Sequence, residues 1–422
     1  MTFYIYTLGC KVNSYESNIM KELLLKNNYK EGTEENSDIY IINTCSVTNT
    51  ADNKSLKTIR GAIRNNSNAI IVVVGCLSQV RYNDLSKIEG ISIILGNKDK
   101  SKIVEYIEEY KKRGKIVNIY DIKNTEFENM ELENFDKTRA FVKIQDGCNN
   151  FCSYCIIPYT RGGLRSKESN VVLNEITNLV KNGHKEVVLT GIHTGHYITK
   201  THDLSDLIED ISKIEGLKRI RISSIEITEL NDKFLDVLKN NNVLVDHLHI
   251  PLQSGCNKIL KLMNRKYDIS YFKEKISKIR SIRPDISITT DLIVGFPNET
   301  EQDFNETLKN IEDINFSKIH VFPYSRRKGT KADLMDNQID EFIKKQRVKK
   351  VMDLSKKLEI EYFSKFIGKE VIFIKEVIKD DYIIGHTGNY LIVKTKNDNN
   401  FNNEIKVKIE KVEYPYVIGR HL

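Results

Sequence analysis

In the first 120 residues, three strand-like segments run directly into a cysteine, and this repetition constrains the fold more than any other feature. Short apolar runs alternate with helical stretches there, which predicts a parallel sheet covered by helices. The predicted strands are residues 3–8, 38–43, 69–75 and 91–95, and the predicted helices include 14–26 and 52–64. The fold class is therefore α/β.

Cys10, Cys45 and Cys76 are the cysteines that follow three of these strands. Parallel strands end at the same edge of an open sheet, where ligands bind, so we expect the three thiols to converge. A single cysteine after a strand would by default be a core residue. Three cysteines at equivalent positions after three strands instead predict a three-thiolate site that lacks a fourth ligand.

A second group of cysteines, Cys148, Cys152 and Cys155, has the spacing C-x3-C-x2-C. Three thiolates can hold one iron–sulfur cubane and leave its fourth iron open. Closed structural metal sites normally have four protein ligands, and electron-transfer clusters normally have four cysteines. The alternative is a zinc knuckle with a distant fourth ligand.

The rest of the chain divides into three further parts. Residues 121–137 are acidic and polar and are typical of a linker. Six strand–helix units then predict a partial TIM-type (βα)6 barrel over 138–366. The cysteine loop follows the first of these strands and is therefore expected on the active rim of the barrel. The predicted strands are 141–145, 186–189, 219–223, 246–250, 286–294 and 318–323.

The C-terminal part, 367–422, is β-rich and predicts a small all-β barrel. Its strands are expected at 370–377, 382–386, 390–396, 405–411 and 416–418. Its nine Lys and Arg residues nearly balance its eight Asp and Glu residues, so charge alone leaves a structural cap as an open alternative.

Polar or glycine residues follow successive barrel strands. Residues 189–195 and 223–226 offer close backbone approach, hydroxyls and a carboxylate, and main-chain groups of 291–297 could sandwich an adenine. Cys256 stands outside both groups of cysteines and is expected to be a small buried residue. The basic stretches 161–167 and 325–331 suit a phosphate backbone, although such clusters are also common on solvated surface.

Charge and composition limit the class of protein. The net charge of +7 permits a polyanionic partner without requiring one. No apolar run has the length of a membrane span and the first residues do not form a signal peptide, so we expect a cytoplasmic protein without a membrane partner. Seven cysteines in such a chain favour metal binding or catalysis over disulfides.

Over nearly its whole length the chain resembles the radical S-adenosylmethionine methylthiotransferases. Residues 7–17 (TLGCKVNSYES), 43–48 (NTCSVT) and Ala51-Asp52 are similar to the second-cluster domain of that family. The run from Cys148 to Arg161, ending IIPYTR, matches its radical motif. The C-terminal segment with 386–390 (HTGNY) resembles its RNA-binding TRAM module, which favours RNA contact over a cap. Ser14 and the Gly162-Gly163 pair are small departures, and neither removes a ligand.

The motifs CKVN and TCSVT resemble the bacterial branch that acts on N6-threonylcarbamoyladenosine, the tRNA nucleoside just 3′ of the anticodon. The resemblance implies two 4Fe-4S clusters, held by Cys148, Cys152 and Cys155 and by Cys10, Cys45 and Cys76. It also implies two S-adenosylmethionine molecules per turnover, an external electron donor and a sulfur source. A 5′-deoxyadenosyl radical would take hydrogen from C2 of the adenine, and a methylthio group would replace it.

The site residues implied beyond the cysteines fall into two sets. The expected S-adenosylmethionine pocket comprises Tyr154, Thr190, Gly191, Ser224, Glu226 and Val294. The expected tRNA contacts are Arg161, Arg165, Arg326 and Arg327. The sequence identifies no general acid or base and no oligomeric state.

Three other readings stay open at this point. The same chemistry could act on isopentenyladenosine in tRNA or on an aspartate of a ribosomal protein. A protein of another class, a non-enzymatic iron–sulfur protein that binds RNA or transfers electrons, would hold clusters without forming 5′-deoxyadenosine. Two open-iron sites argue against that reading, because a carrier gains little from unprotected irons.

Overall fold

The chain folds around three successive β-sheet structures, which the computed structural model describes over residues 1–122, 125–397 and 404–422. The first is a six-stranded parallel sheet in the order β2-β1-β3-β4-β5-β6. Its strands are β1 (Thr2–Thr7), β2 (Lys30–Glu31), β3 (Ile39–Thr44), β4 (Ile70–Gly75), β5 (Ile93–Leu95) and β6 (Ile116–Asn118). Its helices are α1 (Lys11–Lys26), α2 (Asn49–Asn65), α3 (Cys76–Leu85) and α4 (Ile103–Arg113).

Strand register brings the ends of β1, β3 and β4 level with one another. Thr7 pairs with Asn43, and Thr44 pairs with Gly75. The central strands β3 and β4 are buried along their whole length, as expected for a parallel sheet with helices on both faces. The predicted parallel α/β arrangement is confirmed.

The second structure is a curved set of six parallel strands. β11-β10-β7 and β12-β13-β14 form two sheets, and a bridge between Ile220 and Leu244 joins them in chain order. The strands are β7 (Arg139–Lys143), β10 (Glu186–Thr190), β11 (Arg219–Ile222), β12 (His247–His249), β13 (Ser287–Val294) and β14 (Lys318–Pro323). A small antiparallel pair, β8 (Gln145–Asp146) and β9 (Arg165–Ser166), flanks the cysteine loop.

Helices cover the outside of these six strands. They are α5 (Ile157–Arg161), α6 (Ser169–Lys181), α7 (Leu204–Ser212), α8 (Asp232–Asn240), α9 (Asn257–Leu262), α10 (Ile269–Ile282), α11 (Glu301–Ile314) and α12 (Glu341–Ser364). The strands and helices share one large apolar core. The predicted partial (βα)6 barrel is confirmed, with strand ends shifted by at most a few residues.

The segment predicted as a linker packs against the barrel where the structure describes it. Met130, Leu132 and Phe135 are buried in the barrel core. The Tyr15 hydroxyl donates to the Met130 carbonyl at 2.6 Å. The acidic composition of this segment predicted a linker and gave no indication that these three apolar side chains anchor it to the barrel. Residues 123–124 lie outside the described part.

The third structure is a closed five-stranded barrel in the order β15-β16-β17-β19-β18. Its strands are β15 (Glu370–Lys379), β16 (Tyr382–Thr387), β17 (Ile392–Lys396), β18 (Glu404–Glu413) and β19 (Tyr416–His421). Tyr362, Phe363 and Phe366, at and just after the end of α12, pack into its core, so this barrel is anchored to the (βα)6 unit. The predicted small β-barrel is confirmed, and residues 398–403 are outside the description.

A buried ionic cluster, defined as Glu16 with Arg161, Lys100 and Lys143, joins the first sheet unit to the barrel. The Glu16 carboxylate lies 3.0 Å from the Arg161 guanidinium, 2.7 Å from Lys100 and 2.8 Å from Lys143. Glu16 is fully buried on α1, whereas Arg161 and Lys143 belong to the barrel unit. Burial alone would raise the pKa of Glu16, but these cations hold it well below its usual value.

Replacing this carboxylate by an amide is expected to destabilise the whole chain. Glu16→Gln leaves three buried cations without their shared counter-charge, and removal of one member of a buried ion cluster costs about 3–5 kcal/mol. Urea unfolding midpoints would measure the loss. The matched control is Glu133→Gln, because Glu133 pairs with Lys26 at 2.6 Å on exposed surface and should contribute less than about 1 kcal/mol.

The same substitution has a pH signature. A carboxylate whose pKa is lower in the folded than in the unfolded protein stabilises the fold at pH values above the unfolded pKa, here the ordinary 4.5. This stabilisation is lost as the pH falls towards the pKa of the folded state. The wild type should therefore lose stability below about pH 4.5 more steeply than Glu16→Gln. Equal acid slopes for the two proteins would contradict this account of the cluster.

Candidate active site

Three thiols meet at the carboxyl edge of the first sheet. Cys10 caps the start of α1, Cys45 follows β3, and Cys76 is the first residue of α3 after β4. Burial, together with the neighbouring Cys76 and Cys10, raises the pKa of the Cys45 thiol to about 12. The level ends of β1, β3 and β4 bring Cys10, Cys45 and Cys76 to the same edge of the sheet, as the sequence predicts.

Gly9 allows this approach. Its φ of +99° belongs to the left-handed region that favours glycine, and a Cβ here would lie 2.8 Å from the Cys45 sulfur. Asn13, one turn into α1, donates to the Leu8 and Thr44 carbonyls at 2.7 and 2.9 Å. The loop after β1 is thereby tied to the end of β3.

The second triad lies in the loop between β8 and α5. The Cys155 amide donates to the Cys152 carbonyl at 2.9 Å, and the Cys148 amide donates to the Gly162 carbonyl at 3.0 Å. Ser153, inside the loop, donates to the Met263 carbonyl at 3.1 Å through its amide. Burial and the thiols beside it raise the pKa of Cys155 to about 12.

The spacing of both triads is too wide for a single metal ion. In the described part of the chain, one group alone brings three ligand atoms of His, Cys, Asp or Glu side chains within 4.8 Å of one another, namely His193, His196 and Glu229. A tetrahedral zinc ion with bonds near 2.3 Å would need its sulfurs closer than that. Neither triad has the compact spacing of a site for a single zinc ion.

His193 links the second triad to the rim of the barrel. Its Nδ1 lies 3.6 Å from the Cys148 sulfur, and its Nε2 pairs closely with Glu229. Burial lowers the pKa of His193, but its contacts with Cys148 and Glu229 outweigh this and raise it to about 10. His193 thus connects Cys148 of the second triad to Glu229 on the barrel rim.

Arg265 contacts the second triad from the other side. Its Nη1 donates to the Cys152 sulfur at 3.3 Å, and its Nη2 pairs with Glu226. Tyr154 lies in the same electrostatic environment: burial raises its pKa well above its ordinary value, while Arg265 opposes the rise. The expected pocket residues Tyr154 and Glu226 are therefore both beside Cys152.

A cavity of about 580 Å³ runs through the inside of the (βα)6 barrel. Thr190, Gly191 and Ser224 line it, together with Cys10 from the first sheet unit. His386, Asn389 and Tyr390 of the C-terminal barrel also line it. Such a volume accommodates a small molecule or a nucleoside-sized group.

The other expected site residues are placed differently. Val294 is fully buried at the end of β13, and its carbonyl accepts from the Tyr324 amide at 2.8 Å. Cys256 is buried and donates to Asp303 at 3.5 Å, as expected for a residue outside both triads. The segment 386–390 faces this cavity, with its backbone carbonyls held by Arg219 and Arg221.

Two of the four arginines expected to contact tRNA are buried in ion pairs inside the protein. Arg161 is fully buried in the ionic cluster, and Arg327 is buried against Asp52 at 3.0 Å. The prediction of a phosphate contact is wrong for both, because a basic run does not reveal which of its side chains turn inward. Arg165 donates to the Arg161 carbonyl at 2.8 Å, and the exposed Arg326 pairs with Asp333 at 2.6 Å.

Sequence reasoning missed Arg265, Glu229 and Asn97. Asn97 donates to the Cys76 sulfur at 3.6 Å and to the Thr160 carbonyl at 2.9 Å, and so connects the first triad to α5. None of the three lies in a cysteine motif or directly after a predicted strand of the barrel. A buried polar residue distant in sequence from its ligand leaves no local signal.

Two family models match the chain. The model of the radical SAM superfamily covers residues 142–311, and that of "Uncharacterized protein family UPF0004" covers residues 2–96. The fold of the radical S-adenosylmethionine methyltransferase TsrM from Kitasatospora setae is similar, with a TM-score of 0.58, 12% identity, and coverage of 78% of this chain and 76% of that chain. The (βα)6 barrel with its cysteine loop thus defines a radical SAM protein, a class that uses S-adenosylmethionine and a 4Fe-4S cluster.

Relatives of known name narrow the class. A threonylcarbamoyladenosine tRNA methylthiotransferase of Bacillus subtilis is 42% identical over 99% of this chain and 96% of its own length. A tRNA-2-methylthio-N(6)-dimethylallyladenosine synthase of Clostridium tetani is 36% identical over 84% of this chain and 81% of its own length. The chain belongs to the radical SAM methylthiotransferase family. None of its described helices combines the length and apolar character needed to cross a bilayer.

Two glycines of the cysteine loop provide a matched test of its geometry. Gly147 has a φ of +75°, and a Cβ there would lie 1.8 Å from the Gly163 carbonyl oxygen, whereas a Cβ on Gly163 meets just the Asn149 side chain at 3.4 Å. Gly147→Ala should therefore displace the loop and lower the iron and sulfide bound per chain after anaerobic reconstitution. Gly163→Ala should bind wild-type amounts, and equal cluster content in both variants would contradict this view of the loop.

Proposed function

We propose that this protein is a tRNA methylthiotransferase that places a methylthio group on C2 of N6-threonylcarbamoyladenosine at position 37. The observation that carries the proposal is the pair of three-thiol sites joined by α5. Arg161 lies just six positions after Cys155 of the second triad. The charge of Arg161 acts on the Cys10 and Cys76 thiols of the first triad. Identity of 42% to the threonylcarbamoyladenosine enzyme, against 36% to the dimethylallyl enzyme, supports this substrate over the isopentenyl one.

In this proposal the two triads have different tasks. Cys148, Cys152 and Cys155 hold the 4Fe-4S cluster that faces S-adenosylmethionine, and Cys10, Cys45 and Cys76 hold a second 4Fe-4S cluster for the sulfur to be inserted. S-adenosylmethionine with a reduced cluster supplies a 5′-deoxyadenosyl radical, which an inert aromatic C–H bond requires. An external electron donor and sulfur source, and a second S-adenosylmethionine, complete the requirements.

The thiols of the two triads are suitable ligands for such clusters. Burial, with a smaller contribution from neighbouring thiols, raises the pKa of Cys45 and of Cys155, and a bound group that carries positive charge would favour their thiolate forms. Each triad offers three sulfurs and leaves one coordination position of a cubane for a ligand.

The chain's own residues bind and orient the reactants. Thr190, Gly191 and Ser224 form one wall of the cavity and suit the S-adenosylmethionine side, with Tyr154 and Glu226 near Cys152. Cys10 opens onto the same cavity from the opposite domain. The substrate base would lie in this cavity, where C2 can be held close to both clusters.

We assign the parts of the chain accordingly. Residues 1–120 carry the second cluster, 121–137 connect it to the radical domain 138–366, and 367–422 form the RNA-binding module. The 386–390 segment lines the cavity and its carbonyls are held by Arg219 and Arg221, so tRNA contact by the small barrel would use its other faces. Arg326, exposed at 58% of its side chain, is the expected arginine most available to a phosphate.

A cysteine from each triad separates the two tasks. With reconstituted enzyme, S-adenosylmethionine, reductant and tRNA carrying threonylcarbamoyladenosine, the wild type should form both 5′-deoxyadenosine and the 2-methylthio nucleoside. Cys45→Ala should keep 5′-deoxyadenosine formation and lose the methylthio product, with about half of the iron remaining. Cys152→Ala should lose both products, and mass spectrometry of digested nucleosides measures the outcome.

Two results would contradict the proposal in different ways. Formation of 5′-deoxyadenosine with no modified nucleoside on this tRNA, but with modification of isopentenyladenosine tRNA or a ribosomal protein, would assign the chain to another branch. Clusters and tRNA binding without any 5′-deoxyadenosine would favour the non-enzymatic reading.

Arg265 should tune the cluster held by the second triad. Its guanidinium donates to the Cys152 sulfur, and a nearby positive charge favours the reduced cluster. Arg265→Met removes that charge and leaves Glu226 unpaired, so the reduction potential should become more negative and 5′-deoxyadenosine formation slower. An anaerobic titration followed by EPR, in a Cys45→Ala background that lacks the other cluster, measures the potential.

The conservative variant is the control for Arg265. Arg265→Lys keeps the charge and should shift the potential less than Arg265→Met does. An unchanged potential in Arg265→Met would show that the contact with Cys152 has no effect on the cluster.

A further inference from the structure

Two lysines line the barrel cavity, and they differ in their partners. Lys318 pairs with Glu359 at 2.9 Å. Lys11 has no carboxylate within 4.0 Å among the residues that the structure describes. It is half-buried as the first residue of α1, directly after Cys10.

The groups that act electrostatically on Lys11 are Tyr390 of the C-terminal barrel, Arg139 and Arg221 of the (βα)6 barrel, and Asp291. The charged ones among them also have partners of their own. Arg139 lies 3.1 Å from Glu376, and Arg221 lies 2.8 Å from Glu186.

Asp291 likewise lies 3.4 Å from His249. The first turn of α1 contains no acidic residue, so the positive end of that helix adds to the charge of Lys11. The Lys11 ammonium therefore lines the cavity with no carboxylate in direct contact, and Asp291 is the acidic group that acts on it from a distance.

A lysine that lines a cavity without a carboxylate in direct contact fits a ligand that brings a negative charge. The two tRNA substrates acted on by the named relatives differ in this respect. The threonylcarbamoyl group ends in a carboxylate, whereas the dimethylallyl group is a hydrocarbon. The lysine discriminates between them by charge alone.

We propose that Lys11 is a specificity-determining residue that pairs with the carboxylate of the threonylcarbamoyl group. This inference rests on the proposed function and names the contact by which the same cavity selects its substrate. A carboxylate anchored at Lys11 places the modified adenosine beside Cys10, where the first triad opens onto the cavity. The ion pair thus selects the nucleoside and orients it.

The test compares two tRNA anticodon stem-loops that differ at one group. One carries N6-threonylcarbamoyladenosine, and the other carries the same nucleoside with its carboxylate converted to a carboxamide. Equilibrium binding to the full-length protein is measured for wild type, Lys11→Met, Lys11→Arg and Lys318→Met. Iron content and methylthiolation kcat/KM are measured in parallel.

The wild type should bind the carboxylate stem-loop roughly 10- to 100-fold more tightly than the carboxamide, the range expected for a hydrogen bond between charged groups. Lys11→Met should bind both equally, and Lys11→Arg should restore most of the preference. Lys318→Met, which alters a paired lysine of the same cavity, should change both affinities by the same factor.

Retention of the full preference by Lys11→Met would overturn the inference, as would a wild type that does not distinguish the two stem-loops. Because binding is measured directly, the comparison stands even where a variant assembles less of the cluster next to Cys10. Failure of the proposed function would look different, since the wild type would then form no methylthio product on the natural nucleoside.

Discussion

The buried carboxylate of Glu16 is the contact on which the arrangement of the two cysteine triads depends. It lies on α1, one turn beyond Asn13, and binds cations that come from three places in the chain: Lys100 beside the first sheet, Lys143 at the end of β7, and Arg161 at the end of α5. A buried charge cluster tolerates little movement, since any separation leaves unpaired charge in a medium of low polarity. The relative position of the first sheet and the barrel is thereby fixed next to both triads.

The cluster also has an electrostatic consequence for the first triad. Asp146 adds a second carboxylate, 3.2 Å from Arg161 and 2.7 Å from Lys143, so three buried cations face two carboxylates. The positive surplus lies beside thiols, and the Arg161 charge favours the thiolate form of Cys10 against the effect of burial. Arg161 was expected to bind phosphate, yet in the folded chain its guanidinium is paired with the Glu16 and Asp146 carboxylates.

The sequence predicted those features that repeat or that follow from backbone geometry. Parallel strands ending in Cys10, Cys45 and Cys76 had to bring these thiols together, and the pattern of six strand–helix units identified the barrel. The partners of the thiols could not be predicted in this way. Arg265 reaches Cys152 across more than one hundred residues, and the inward turn of Arg161 or Arg327 depends on carboxylates, Glu16 and Asp52, located on another unit. Pairing between distant charges is decided by the tertiary fold, which local patterns do not encode.

The C-terminal barrel is a second case in which local sequence patterns did not predict contacts between distant residues, and here the contacts concern the cavity. Its resemblance to an RNA-binding module concerned the 386–390 segment, but the structure turns this segment towards the cavity, where Tyr390 stacks under Arg221 at 4.0 Å. Arg139 and Arg219 hold neighbouring parts of the small barrel in the same way. The partners of these arginines are an aromatic ring, a carboxylate and a backbone carbonyl of the small barrel. The cavity wall is therefore built from three parts of the chain: Cys10 and Lys11 come from the first sheet unit, Thr190 from the (βα)6 barrel and Tyr390 from the C-terminal barrel.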